Sequence, residues 1–232
     1  MLLGTKAVRM GDDLGPLWLS LKVAASATFL IIAAGLPLGL VLARSRFPGK
    51  GLLAGLLVLP LVLPPTVLGY LLLQAVGKRT PLGSWLDETL GIVLVFHWSG
   101  AVLASAVAAF PLFLLPARGA FEAVDPALED AARLLGRGEL SVFGAVTLPL
   151  AWRGLAAGAA LAFARALGDF GATMMVAGNI PGLTRTASLA IYDAVQEGDS
   201  TRAAWLTLWI SVISIAALGF VQWTLPERGR RP

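Results

Sequence analysis

The sequence predicts an all-α integral membrane protein with five spanning helices, and three observations lead there. The 232 residues are 57% hydrophobic and only 14% charged, where an ordinary soluble domain carries about 25% charged residues. Mean hydropathy is +0.79. Five stretches, 17–42, 52–76, 91–116, 154–178 and 203–225, reach the roughly 20 mainly apolar residues that a helix needs to cross a bilayer. None shows the period-2 alternation of a membrane barrel strand. Residues 1–232 therefore form a single transmembrane domain, with 117–153 as a loop within it. A sixth helix or a re-entrant segment would alter the count.

Three of the five spans hold no Asp, Glu, Lys or Arg; the first holds Lys22 and the fourth holds Arg165 and Asp169. The first span is too long for a signal-peptide core, and no small-residue cleavage site follows it, so it is expected to be retained. With no cysteine and one histidine, His97, the chain offers no disulfide framework, thiolate site or histidine cluster for a metal. The basic residues sit between apolar runs rather than in one patch, which argues for membrane topology and against nucleic acid.

Orientation follows from Lys and Arg outside the spans. Segments 43–51 (Arg44, Arg46, Lys50), 117–153 (Arg118, Arg133, Arg137, Arg153) and 226–232 (Arg228, Arg230, Arg231) carry ten. The alternate segments carry six: Lys6, Arg9, Lys78, Arg79, Arg185 and Arg202. Positive charge is retained on the cytoplasmic side, so the N-terminus is expected outside and the C-terminus in the cytoplasm.

The longest cytoplasmic segment predicts a short helix. Asp125 can cap free N–H groups, and Pro126 fits the first helical position. Glu129 and Asp130 place negative charge near the positive end of the dipole, and Gly136 can stop the helix. Leu128, Ala131, Ala132 and Leu135 fall at i, i+3, i+4 and i+7, an apolar stripe on roughly 15 Å of helix. A helix of that length cannot span. It can lie on lipid, pack on its own protein or enter a groove on a partner.

The spacing also resembles a known motif. Asp130-Ala131-Ala132, then Gly136, then Val146-Thr147-Leu148-Pro149 is similar to the EAA motif of ABC-importer permeases, which runs Glu-Ala-Ala, three residues, Gly, nine residues, an aliphatic residue, one residue, Leu-Pro. Asp130 stands where the family usually has Glu, although Glu129 precedes it. The resemblance implies the type I importer permease fold. It also implies that Glu129, Asp130, Ala131, Ala132, Gly136 and Arg137 belong to a coupling helix that docks into a cytoplasmic ATPase. A partner ATPase is needed in any ATP-driven scheme, because the chain has no Gly-x-x-x-x-Gly-Lys-Ser/Thr loop: Gly49-Lys50 is followed by Gly51 and Gly77-Lys78 by Arg79. No cofactor is expected on this chain; ATP and Mg²⁺ are expected on the partner, and the subunit itself is not expected to be an enzyme.

Three further segments, residues 59–70 around Leu63-Pro64-Pro65-Thr66, 162–173 around Arg165 and Asp169, and 177–182 with Gly178-Asn179-Ile180-Pro181-Gly182, look like the molybdate permeases of molybdate/tungstate importers. That similarity runs from about residue 16 to 225. Sulfate/thiosulfate permeases are close relatives; they are usually longer, which favours molybdate. The resemblance implies a homodimer in the bacterial inner membrane, two ATPase subunits and a periplasmic molybdate-binding protein, working by alternating access. The last span ends close to residue 232, so any inhibitory control is expected on the ATPase.

Candidate pathway residues are Pro64, Pro65, Thr66, Arg165, Asp169 and Thr173. Pro60, Pro64 and Pro65 remove backbone donors inside an apolar run, so the second span is expected to break, either facing the pathway or as a packed kink. Arg165 and Asp169, four apart, are expected on one helix face and paired, either as an internal ion pair or with Arg165 lending positive field to an anion. Asn179, Thr184, Arg185, Thr186 and Ser188 are either oxyanion or binding-protein contacts or an ordinary solvated loop. His97 is read as an interfacial or packed side chain. An ion-driven transporter would need more intramembrane carboxylates than Asp169, and a membrane enzyme would need a clustered catalytic set.

Overall fold

The computed structural model describes residues 10–224, with side chains over 14–219. Leu225 and the basic residues Lys6, Arg9, Arg228, Arg230 and Arg231 lie outside the described residues. Every regular element among the described residues is helical: α1 Met10–Arg44, α2 Lys50–Val62, α3 Pro65–Val76, α4 Pro81–Leu90, α5 Trp98–Glu122, α6 Pro126–Leu134, α7 Glu139–Val142, a π-helix Phe143–Thr147, α8 Leu148–Leu167, α9 Gly171–Ala177, α10 Ala187–Gln196 and α11 Ser200–Thr224. Four helical stretches among the described residues, over 14–44, 98–122, 139–167 and 200–219, are long and apolar enough to cross a membrane, and α2 with α3 passes the same test only as a bent pair, a broken span or a re-entrant loop.

α5 is the hub, packed against α1, α2, α8 and α9. Its buried face is built from small residues, among them Gly100, Ala101, Ala104, Ser105, Ala108 and Ala109, which let neighbouring backbones approach closely. Phe113 and Phe121, 1% and 0% exposed, fill the space towards α1. A Cβ built on Gly35 of α1 would stand 2.5 Å from the Phe113 ring. Gly35→Val should therefore overpack this seam and lower stability by about 1–3 kcal/mol, read as earlier loss of the folded species on heating in detergent.

The second span breaks for a local reason. A residue before proline is pushed out of the helical region, and Leu63 and Pro64 both precede a proline. Their ψ values are 139° and 138°, both extended. Pro65 then starts α3 at the first helical position, where its missing N–H costs nothing, and the axes of α2 and α3 differ by 118°.

Two other spans differ from their sequence limits. Gly91, read as the start of the third span, instead ends α4 in the left-handed conformation at φ 63°, a role glycine fills without strain. α5 begins only at Trp98, where His97 accepts from the Ser99 N–H at 3.3 Å; His97 is a helix cap. The fourth span stops at Leu167 and resumes as α9 at Gly171. Asp169 thus lies in the break, not on the helix with Arg165. Lys22 of α1 sits 3.6 Å from the Trp98 ring centroid, a cation–π contact that offsets a charge inside an apolar helix.

α1 fixes the two ends of the bundle. At one end Arg44 reaches the α5–α6 turn and Glu129. At the other, Ser20 accepts the Ala187 N–H at 2.8 Å, and Leu17 packs with Ala190 and Leu206.

Candidate functional site

Two places gather the residues singled out by sequence. The first is the α6 end. Asp125 accepts the Ala127 N–H at 2.9 Å, Pro126 occupies the first turn, and Gly136 turns left-handed at φ 81°, so cap, start and stop fall where expected. The apolar stripe does not pack inward as a whole. Of its four members only Ala132 is buried; Leu128 is 49% and Leu135 84% exposed, as are Leu134 and Leu140 at 89% each. α6 thus sits beside the bundle with its leucines turned outward, an exposed apolar surface.

Glu129 and Asp130 have parted. Glu129 is 6% exposed and accepts from Arg44 Nη2 at 2.8 Å and from Thr147 Oγ1 at 2.7 Å. Asp130 points out, 68% exposed, and pairs with Arg133, which also binds Glu139. Ala131 and Arg137 are exposed, and Arg137 donates to Ser141 at 3.2 Å. The sequence grouped Glu129 with the docking residues. The structure turns it inward because two donors, on α1 and on the π-helix, converge on one carboxylate oxygen.

The second place is where the two broken spans meet. A Cβ on Gly171, the first residue of α9, would lie 2.8 Å from Pro65 Cβ, and one on Gly69 would lie 2.6 Å from Met175 Cβ, so α3 and α9 pack backbone to backbone from their starts. Asp169, 2% exposed, ties α8 to α9 across the break in the fourth span. It accepts from the Thr173 N–H at 3.0 Å, Thr173 Oγ1 at 2.7 Å and Arg165 Nη1 at 3.0 Å. Thr173, fully buried, also lies 3.3 Å from Ser105 Oγ on α5. Asp169 therefore accepts from the first turn of α9 from inside. Arg165 keeps 31% of its side chain exposed, on the α8 face that also exposes Leu161 and Gly168, while Pro64, Pro65 and Thr66 are exposed on the other side of the junction.

Sequence reasoning missed Tyr70 and Gln74. With Thr66 they stand at i, i+4 and i+8 along the exposed side of α3, and Gln74 Nε2 donates to the Tyr70 hydroxyl at 2.8 Å. The spacing was the available signal, and it is readable only once α3 is known to start at Pro65. In the loop after α9, residues 180–183 are exposed, while Asn179, Thr184 and Arg185 are bonded within the protein and the Thr186 hydroxyl is buried without a hydrogen-bond partner among the described residues. Asn179 Nδ2 donates to both Asp193 oxygens at 2.8 and 2.9 Å. Arg185 binds Asn179 and Asp193 at 3.0 Å each. Thr184, fully buried, accepts the Ile180 N–H at 3.0 Å.

Residues 35–228 match the family described as the binding-protein-dependent transport system inner membrane component. The chain belongs to this family. It is 46% identical over 206 residues to the molybdenum transport system permease protein ModB of Escherichia coli K12, covering 88% of this chain and 90% of that one. It is 43% identical to the ModB of Haemophilus influenzae over the same shares. A putative molybdenum transport system permease protein of Bacillus subtilis, YvgM, is 41% identical over 96% of this chain and 98% of its own. Among solved structures, the chain resembles one described as inward facing conformations of the MetNI methionine ABC transporter, with TM-score 0.69 at 17% identity and 93% coverage of both chains. It also resembles an amino acid ABC transporter, with TM-score 0.63 at 18% identity. The protein is thus a membrane permease subunit with the ABC-importer fold.

Proposed function

We propose that this permease subunit carries molybdate, or tungstate, through the inner membrane as half of a homodimer served by two cytoplasmic ATPases and a periplasmic molybdate-binding protein. The observation that carries this reading is α6: a capped helix at one end of the bundle with its leucines exposed, on a chain 46% identical to a molybdenum transport permease. Glu129 apart, the EAA residues Asp130, Ala131, Ala132, Gly136 and Arg137 form or shape the face that seats in the ATPase. ATP and Mg²⁺ are held there, and this chain binds no cofactor of its own. The α6 end also carries Arg44, Arg46, Lys50, Arg118 and Arg137, which supports a cytoplasmic placement. In this orientation the start of α1 is outside and the end of α11 is in the cytoplasm.

Exposed polar groups support a pathway on the axis of a two-fold pair. Thr66, Tyr70 and Gln74 are poorly suited to acyl chains, and backbone freed by Pro64 and Pro65 is tolerated at membrane depth only against protein or water. The part-exposed Arg165 side chain supplies a positive group near the break in the fourth span. Asp169 neutralises part of that charge, which suits a conduit that must release the anion. ATP-driven closure of the ATPases moves α6, and the broken spans switch between outward- and inward-facing arrangements.

Replacing Pro64 and Pro65 together with Leu should straighten the α2–α3 break, leaving the assembled complex intact while uptake falls at least tenfold; full uptake would remove the break from the pathway. The function as a whole is tested with vesicles holding the assembled complex, loaded binding protein outside and ATP inside. Labelled molybdate should accumulate, unlabelled tungstate should compete, and sulfate should compete poorly. Accumulation of sulfate in preference to molybdate would overturn the substrate.

A further inference from the structure

α6 is a nine-residue helix that buries only Glu129 and Ala132. Two side chains tie it to neighbouring elements: Arg133 pairs with Glu139 of α7 at the exposed surface, and Glu129 makes the buried bonds to the bundle. Glu129 Oε1 receives Arg44 Nη2 from the last turn of α1 and Thr147 Oγ1 from the last residue of the π-helix that leads into α8. Arg44 also donates to the Val124 carbonyl at 3.1 Å, just before α6. Charge-assisted bonds of this length are short and directional, and a buried pair with one partner removed leaves an uncompensated charge.

The surroundings make this connection matter. Beside it lies a cavity of about 620 Å³, lined among others by Leu36, Leu40, Leu140 and Phe143. Between α1 and α6–α7 there is thus open space rather than continuous side-chain packing. The π turn is itself a fixed register shift, with Leu148 N–H bonded to the Phe143 carbonyl five residues back. Such turns reposition a side chain relative to a regular helix, and here the hydroxyl that ends the turn meets Glu129.

We propose that Glu129 is a positioning residue for transport that passes displacement of α6 to α1 through Arg44 and to α8 through Thr147, without touching the ATPase. This rests on the reading of α6 as the ATPase-docking helix. Asp130 and the exposed leucines receive the push, and Glu129 distributes it. α1 and α8 are the two longest helices packed on α5, so moving both together rotates the wall of the bundle rather than bending one helix.

The test uses the complete transporter in proteoliposomes, with binding protein and molybdate, and reads three quantities: ATPase retained on purification, ATP hydrolysed and molybdate taken up per ATP. A residue needed only for folding would lower hydrolysis and uptake in proportion. Glu129→Gln and Arg44→Met are expected to keep the ATPase bound and at least half the hydrolysis while molybdate per ATP falls tenfold or more. Thr147→Val, which keeps side-chain shape, is expected to lower the ratio about threefold. An unchanged ratio in these variants overturns the proposal, and so does loss of the ATPase from the Glu129→Gln complex, which would make Glu129 a docking residue. The docking reading fails separately, if Leu134→Glu/Leu135→Glu leaves the ATPase bound as before.

Discussion

Leu134→Glu/Leu135→Glu should release the ATPase from the purified complex while the permease itself stays folded. The two side chains are 89% and 84% exposed, so introducing carboxylates removes no internal packing. Burying a leucine at an interface contributes about 1.5–3 kcal/mol, and a desolvated, unpaired carboxylate costs several kcal/mol more. The combined loss is on the order of 5 kcal/mol or beyond, over a thousandfold in affinity. Co-purification and binding-protein-stimulated ATP hydrolysis should both vanish. The far-UV circular dichroism of the permease alone should be unchanged. By contrast Asp130→Ala removes only a 68% exposed carboxylate; its internal pair with Arg133 is worth little by itself, so any large loss of ATPase affinity there reports a contact with the partner.

The pair at the break in the fourth span should separate into two roles. Asp169→Ala strips three donors of their acceptor and leaves Arg165 unpaired, a change in the range of about 3–5 kcal/mol for a buried pair. The expected result is poor yield and early loss of the folded form. Arg165→Gln leaves Asp169 with its two Thr173 donors and a weaker neutral one. It should fold, yet uptake should fall tenfold or more if the exposed guanidinium meets the anion. The double variant Arg165→Gln/Asp169→Asn removes both charges at once, so it should recover stability without recovering transport. Recovery of transport in the double variant would show that the pair serves the helix junction alone.

Much of this was legible in the residues because local chemistry decided it. Asp125-Pro126 and Gly136 set α6, since cap, first-turn proline and left-handed glycine act within a few residues. Leu63-Pro64-Pro65 foretold a break in the second span for the same reason. What stayed hidden depends on groups distant in sequence. Glu129 reads as one more acid in an amphipathic helix until Arg44, 85 positions away, and Thr147 are brought to the same oxygen. Asp169 reads as an i+4 partner on a helix until the chain breaks at Gly168 and the carboxylate turns to accept from the first turn of α9. Asn179 and Arg185 read as open loop donors until Asp193 on α10 claims them. Gly91 misled because an apolar run conceals a glycine that ends one helix before the next begins.

The central claim is that movement of anion through this chain is driven by a separate ATPase seated on α6. It is tested most directly by labelled molybdate flux across vesicles holding the permease with loaded binding protein and ATP, with the ATPase either present or left out. The account predicts accumulation only when the ATPase is present, and its abolition by Leu134→Glu/Leu135→Glu. Accumulation at the same rate without the ATPase would contradict it.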